Sequence, residues 1–132
     1  MIRSLSILAT LMIVVATSCQ RTSQMSELED SSDIRLDTTI KDLGDIRYGD
    51  VAVASFKLKN TRGKEVVVKA IGTDCGCLKI NNEEKRYASG ESGTIDVEFD
   101  TRGQVGKQYH EAKLMTDYGQ EIKLYVIADI KE

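Results

Sequence analysis

The stretch Gln120-Glu121-Ile122-Lys123-Leu124-Tyr125-Val126-Ile127-Ala128-Asp129-Ile130-Lys131 decides the fold class. Ile122, Leu124, Val126, Ala128 and Ile130 recur at every second position, alternating with Lys123, Tyr125, Ile127, Asp129 and Lys131. A period of two places one set on a single face of a half-buried strand, whereas an amphipathic helix needs a period near 3.6. Thr94–Asp100 repeats the pattern, with Ile95, Val97 and Phe99 against Asp96, Glu98 and Asp100. Val51–Lys59 sets Ala52, Ala54, Phe56 and Leu58 on one face and Val51 and Val53 on the other, which predicts cover on both sides at its start. Further strands are expected at Asp37–Leu43, Val66–Ile71, Leu78–Ile80 and Tyr109–Thr116.

Turn residues separate these runs: Asn60-Thr61-Arg62-Gly63, Ser89-Gly90-Glu91-Ser92-Gly93, Thr101-Arg102-Gly103-Gln104-Val105-Gly106 and Asp117-Tyr118-Gly119. Glycine supplies positive φ there, and Asn and Asp tolerate it. About seven short strands in one domain predict an all-β, immunoglobulin-like antiparallel β-sandwich. The chain has no Trp, and Cys75 and Cys77 stand too close in sequence to staple two sheets, so the core must rest on Ile, Val, Leu and Phe.

The 132 residues fit one domain and a tail, with 41% hydrophobic and 30% charged residues. A net charge of −3 leaves no basic excess for phosphates, so no nucleic acid is expected as a partner. The single histidine, His110, leaves little material for general acid–base chemistry and is expected at the surface or in a cross-strand position. No G-x-G-x-x-G, P-loop, G-x-S-x-G or H-E-x-x-H motif occurs. Glu83-Glu84-Lys85-Arg86 reads as a solvated loop, and Asp42, Asp45 and Asp50, beside Gly44 and Gly49, read as turns rather than a calcium loop.

Residues 1–18 open with Arg3 and continue from Leu5 to Ala16 almost wholly apolar, too short a run to span a bilayer. This reads as a signal peptide. Its exit, Ala16-Thr17-Ser18-Cys19, resembles a bacterial lipobox, with Ala16 and Thr17 departing from the usual residues. The resemblance implies that Cys19 becomes a lipidated N-terminus, holding the protein to a bilayer through its acyl chains. The polar segment up to Arg35 (residues 19–35) then reads as a tether with an end-to-end distance of about 20–24 Å, and residues 36–132 as the folded domain.

Thr73-Asp74-Cys75-Gly76-Cys77 is the conspicuous chemical feature, and three readings stay open. A local disulfide needs a bend, which Gly76 permits, and an exposed one would suit thiol–disulfide exchange. Two thiolates suit copper or zinc, but zinc wants four ligands, and His110 and Met115 face opposite sides of one strand. A structural thiol pair or inert bridge is favoured by the frequent burial of Cys. If the chain stayed extended, Cys75, Cys77 and Lys79 would share a face.

Leu43-Gly44, Gly49-Asp50, Phe56, Lys59-Asn60-Thr61, Gly63, Cys75-Gly76-Cys77, Gly90-Glu91-Ser92-Gly93, Ile95, Val97, Phe99-Asp100-Thr101, Gly103 and Gly106 occur in this order. In this the chain, from Asp37 to Ile130, resembles the bacterial domain of unknown function 1573. Leu78, Ala88 and Ala128 depart from that pattern, where Thr, Pro and Gly are usual. The resemblance implies an immunoglobulin-like sandwich of the major sperm protein and ciliary adaptor type, common among Bacteroidetes lipoproteins, and implies no reaction.

The expectation is therefore a noncatalytic binding or adaptor module, without a cofactor, in the bacterial cell envelope. Its expected partners are the bilayer, through acylated Cys19, and an envelope protein. Gln20, in place of a retaining Asp, favours the outer membrane. Asp74, Gly76, Leu78, Arg102, Gly103 and Gln104 are the candidate contacts of two end loops. The alternative is a thiol-redox accessory or a copper- or zinc-binding protein using Cys75 and Cys77.

Overall fold

Alternating side chains become nine strands in residues 32–81 and 84–132, which the computed structural model describes. They are β1 (Ile34–Leu36), β2 (Ile40–Arg47), β3 (Val51–Asn60), β4 (Val66–Thr73), β5 (Leu78–Ile80), β6 (Glu84–Tyr87), β7 (Ser92–Asp100), β8 (Gly106–Thr116) and β9 (Glu121–Lys131). Residues 1–18, Cys19 and the tether as far as residue 31 lie outside the described residues.

Two sheets face each other, ordered β1-β3-β7-β5 and β2-β9-β8-β4-β6. The even residues of β9, Ile122 to Ile130, are all buried, as their alternation requires. They meet Phe56, Leu58, Ile95, Val97 and Phe99 from the opposite sheet in one apolar core. Burial of this kind contributes about 25 cal/mol per Å² and is the main force holding the sheets together.

Several expectations need correction. The tether ends earlier than Arg35, because Ile34, Arg35 and Leu36 pair with Asn60, Lys59 and Leu58 of β3, and Ile34 is buried. Gln120 holds this short strand from both sides, its Oε1 accepting from Ile34 N at 2.8 Å and its Nε2 donating to Ile34 O at 3.0 Å. The chain then crosses to the second sheet, where β2 runs parallel to β9, the one parallel pair among the described strands. Gly44, at φ +67°, sits within a register shift of β2 rather than in a turn, and its N–H donates to Asp42 Oδ1.

Glu84, Lys85 and Arg86, expected in a solvated loop, belong to the edge strand β6, whose Glu84 and Arg86 pair with Lys69 and Val67 of β4. Charges on an edge strand discourage further strand pairing, so a polar run is no bar to a strand there. Nor are Val51 and Val53 covered on their second face: they are 55% and 50% exposed.

The turn residues that recur with the family resemblance act as clamps. Asn60 is fully buried, and its Nδ2 donates to the carbonyls of Lys64, Tyr87 and Ala88 while its Oδ1 accepts from Arg62 N. Side-chain groups thus replace the solvent that buried backbone would otherwise lack. Gly93 lies so close to Tyr87 that a Cβ there would come within 2.6 Å of the ring.

Candidate functional site

One end of the sandwich gathers the loops that carry chemistry. Thr101 organises it: the residue is fully buried, its Oγ1 accepts from Gly49 N and donates to Asp50 O, both at 2.8 Å, and its N–H also reaches Asp50 O. The β2–β3 turn and the β7–β8 loop are thereby tied together. Tyr48 N–H donates to Lys131 O, which adds the end of β9. Tyr48 and Val105, 50% and 70% exposed, line one shallow cavity with Arg47 and Glu132. Val51 pairs with Asp100 at the same end.

Arg102 folds back on Asp100, with its Nε 2.9 Å from Oδ1 and its Nη2 on Oδ2. The guanidinium first, and the Arg102 backbone N–H second, hold the Asp100 carboxyl down at about 2. Gly103 takes the left-handed backbone, at φ +80°, that lets the loop reverse.

The Cys-Gly-Cys loop connects β4 to β5, crossing from one sheet to the other. Cys75 and Cys77 form a disulfide with Cα atoms 5.1 Å apart, within ordinary disulfide range. The chain bends to allow it: Leu78 N–H donates to Cys75 O, and Thr73 Oγ1 caps the same carbonyl at 2.9 Å. Cys75, Cys77 and Lys79 therefore do not line an extended face. Asp74 N–H to Glu111 O and Asp100 N–H to Cys77 O suture the loop to both sheets.

Gln104 Nε2 stands 4.0 Å from Cys75 Sγ, so the two loops expected as contacts are neighbours. Asp74, Gly76, Arg102 and Gly103 are exposed there. Leu78 is not a contact: it is 5% exposed and packs in the core.

His110 takes the cross-strand alternative, opposite Val126 of β9, and not the surface one: it shares the inward face of β8 with Ala112 and Leu114, with its side chain 17% exposed. Its ring tilts against Phe99, centroids 5.6 Å apart. Nδ1 is 3.4 Å from Asp74 Oδ1 and Nε2 is 3.2 Å from Gln108 Oε1. A donor nitrogen of this ring and both sulfurs lie within 4.8 Å of one another. The parity of positions 110, 112 and 114 carried this signal, but charged neighbours obscured it. Met115 points outward and takes no part. Tyr48 is a further exposed residue that the sequence does not single out, because its exposure depends on how the loops close, whereas Val105 belongs to the Thr101–Gly106 loop expected as a contact surface.

The model of the family "Protein of unknown function (DUF1573)" matches residues 34–130. The chain belongs to this family. Among solved structures, this DUF1573 domain is similar to a human ASH/PapD-like domain of CEP192, with 9% identity, a TM-score of 0.60 and coverage of 76% of this chain and 86% of that one. It is also similar to a protein of unknown function from Porphyromonas gingivalis W83, with 14% identity, a TM-score of 0.63 and coverage of 73% of this chain but 46% of that one. The periplasmic chaperone SfaE is similar at 6% identity and a TM-score of 0.57, over 75% of this chain and 58% of its own. At such identities these likenesses show the fold, an immunoglobulin-like β-sandwich. No curated protein matches the sequence.

Proposed function

We propose that this DUF1573 domain is a noncatalytic binding or adaptor module of the bacterial cell envelope. In this reading it is held to a bilayer by acylated Cys19 and takes a protein partner at its loop end. One observation carries it: the tied β2–β3 turn and β7–β8 loop present Tyr48 and Val105 to solvent in one cavity with Arg47 and Glu132. Large exposed apolar side chains rimmed by charge mark interaction surfaces, and aromatic and Arg side chains supply most binding energy in such patches.

The path of the chain supports the arrangement. It enters the sandwich at β1, which pairs with the far end of β3, while the loop cluster sits at the start of β3. A ten-residue strand spans roughly 30 Å. The loop cluster is therefore at the end of the sandwich away from Ile34. Family resemblance to lipoproteins and the Ala16–Cys19 sequence support the lipid anchor, and Gln20 favours the outer membrane. The similar PapD-like domain and periplasmic chaperone bear the same sandwich and support a binding role rather than a reaction.

Three variants test the reading. Cys19→Ser should move the protein from the membrane fraction to the soluble envelope fraction. Joint Tyr48→Ser and Val105→Ser should abolish co-purification of the partner from solubilised envelopes while leaving folding stability within about 0.5 kcal/mol per site, as surface changes do. Joint Cys75→Ser and Cys77→Ser should keep the partner. The opposite pattern, a partner kept by the first pair and lost by the second, would move the function to the Cys loop.

A further inference from the structure

Among the described residues, Cys75, Cys77 and His110 are the one set of three potential ligands whose donor atoms lie within 4.8 Å of one another. We propose that this trio is a redox-gated site for a soft monovalent cation of the cuprous class, closed by the Cys75–Cys77 disulfide and opened by its reduction. The site goes beyond partner binding, since none of its three residues belongs to the exposed apolar cluster of the loop end.

The donor set fits the ion. Thiolates at about 2.3 Å and an imidazole nitrogen at about 2.0 Å from a shared metal place donors about 4 Å apart in a trigonal shell. The three donor atoms lie within 4.8 Å of one another, so a small closing movement of the ring and separation of the sulfurs, once their bond is broken, would reach that spacing. Soft thiolates select cuprous copper, whereas a closed zinc site wants a fourth ligand that the trio does not include. A disulfide sulfur is no substitute for a thiolate ligand, so the oxidised form is closed.

The surroundings fit as well. A metal-bound imidazole is ordinarily fixed by an acceptor on its other nitrogen. His110 has one whichever nitrogen binds: Asp74 Oδ1 lies 3.4 Å from Nδ1 and Gln108 Oε1 3.2 Å from Nε2. Phe99 sets the tilt of the ring from the opposite sheet. The Cys77 N–H, 3.0 Å from Cys75 Sγ, and Gln104 Nε2, 4.0 Å from it, aim donors at a sulfur that is anionic once metal is bound. A groove of about 370 Å³ between β4 and β5 flanks the loop, lined by Thr73 and Leu78 on either side of it.

The gating step balances with one co-reactant, a dithiol. It delivers two electrons and two protons, leaving as its own disulfide while the Cys75–Cys77 bond becomes two thiols. Metal binding then releases both thiol protons to water, forming two sulfur–metal bonds and one nitrogen–metal bond.

The test uses the full chain in detergent, with Cys19→Ser throughout so that Cys75 and Cys77 are its only thiols. Reduced and oxidised protein are titrated with cuprous ion held by coloured bicinchoninate. The reduced form should withdraw one copper per chain, and the oxidised form none. His110→Ala should weaken binding by at least about tenfold, with X-ray absorption of the wild type showing two sulfur donors and one nitrogen. Because His110 packs on Phe99, His110→Gln, checked for folding by circular dichroism, should weaken binding to the same degree. Copper left on the bicinchoninate, equal affinity in a folded histidine variant, or uptake of zinc but not copper would overturn the proposal and leave an inert, loop-shaping bridge.

Discussion

Gly93, Asn60 and Thr101 show how single residues shape this domain. At Gly93 the constraint is steric, because a methyl group would overlap Tyr87 Cε1 at 2.6 Å and Tyr87 is itself fully buried. We expect Gly93→Ala to destabilise by about 1–3 kcal/mol, the range for overpacked cores, measured by urea unfolding. An unchanged midpoint would mean that the ring moves aside freely. Asp100 yields a pH dependence. Its folded value, about 2, lies below its ordinary 3.8, so the charged form stabilises the fold above about pH 4. That contribution is lost as pH falls through about 2. Wild type and Asp100→Asn should therefore differ in Tm near neutral pH and converge in strong acid. A gap that persists at low pH would contradict the Arg102 contact as its cause. His110 marks the limit of reading at this scale. Its parity with Ala112 and Leu114 was visible, but its approach to Cys75 and Cys77 comes from β5 and β8 meeting across the two sheets.

Strands differed in how much of themselves they revealed. β3, β7, β8 and β9 were legible because each buries one face over many residues, and their alternation survives any small error at the ends. The shorter β1 and β6 were not. β6 shows its charges to solvent at a sheet edge, and β1 has three residues whose partners lie far along the chain. The parallel pairing of β2 with β9 was equally hidden, since alternation gives the face of a strand and not its direction. β1 depends on Gln120, whose side-chain amide takes both backbone groups of Ile34. We expect Gln120→Ala to speed hydrogen exchange at Ile34 and Arg35 by about tenfold, the equivalent of about 1.4 kcal/mol of local opening, while Leu124 and Val126 stay protected. Equal acceleration in β9 would instead indicate that β1 is integral to the global fold.

At the scale of the whole molecule, two kinds of residue separate. Asn60 and Thr101 are used up in closing turns and Gly93 in packing beneath Tyr87, which accounts for their place in the recurring sequence pattern without any chemistry. The Tyr48–Val105 cluster is exposed, the Cys75–Cys77 bridge touches the core only through Cys77, and both sit at the end farthest from where the described chain enters. The sequence pointed to this end through its two loops, but the apolar surface was illegible until the loops were closed by Thr101. Partner binding at this end is the central claim, and a photo-crosslinking amino acid tests it most directly. Placed at position 105 in living cells, it should give one discrete protein adduct, absent when placed at position 118 at the opposite end and lost on Tyr48→Ser. Equal crosslinking from both positions, or an adduct indifferent to Tyr48, would contradict a binding surface at the loop end.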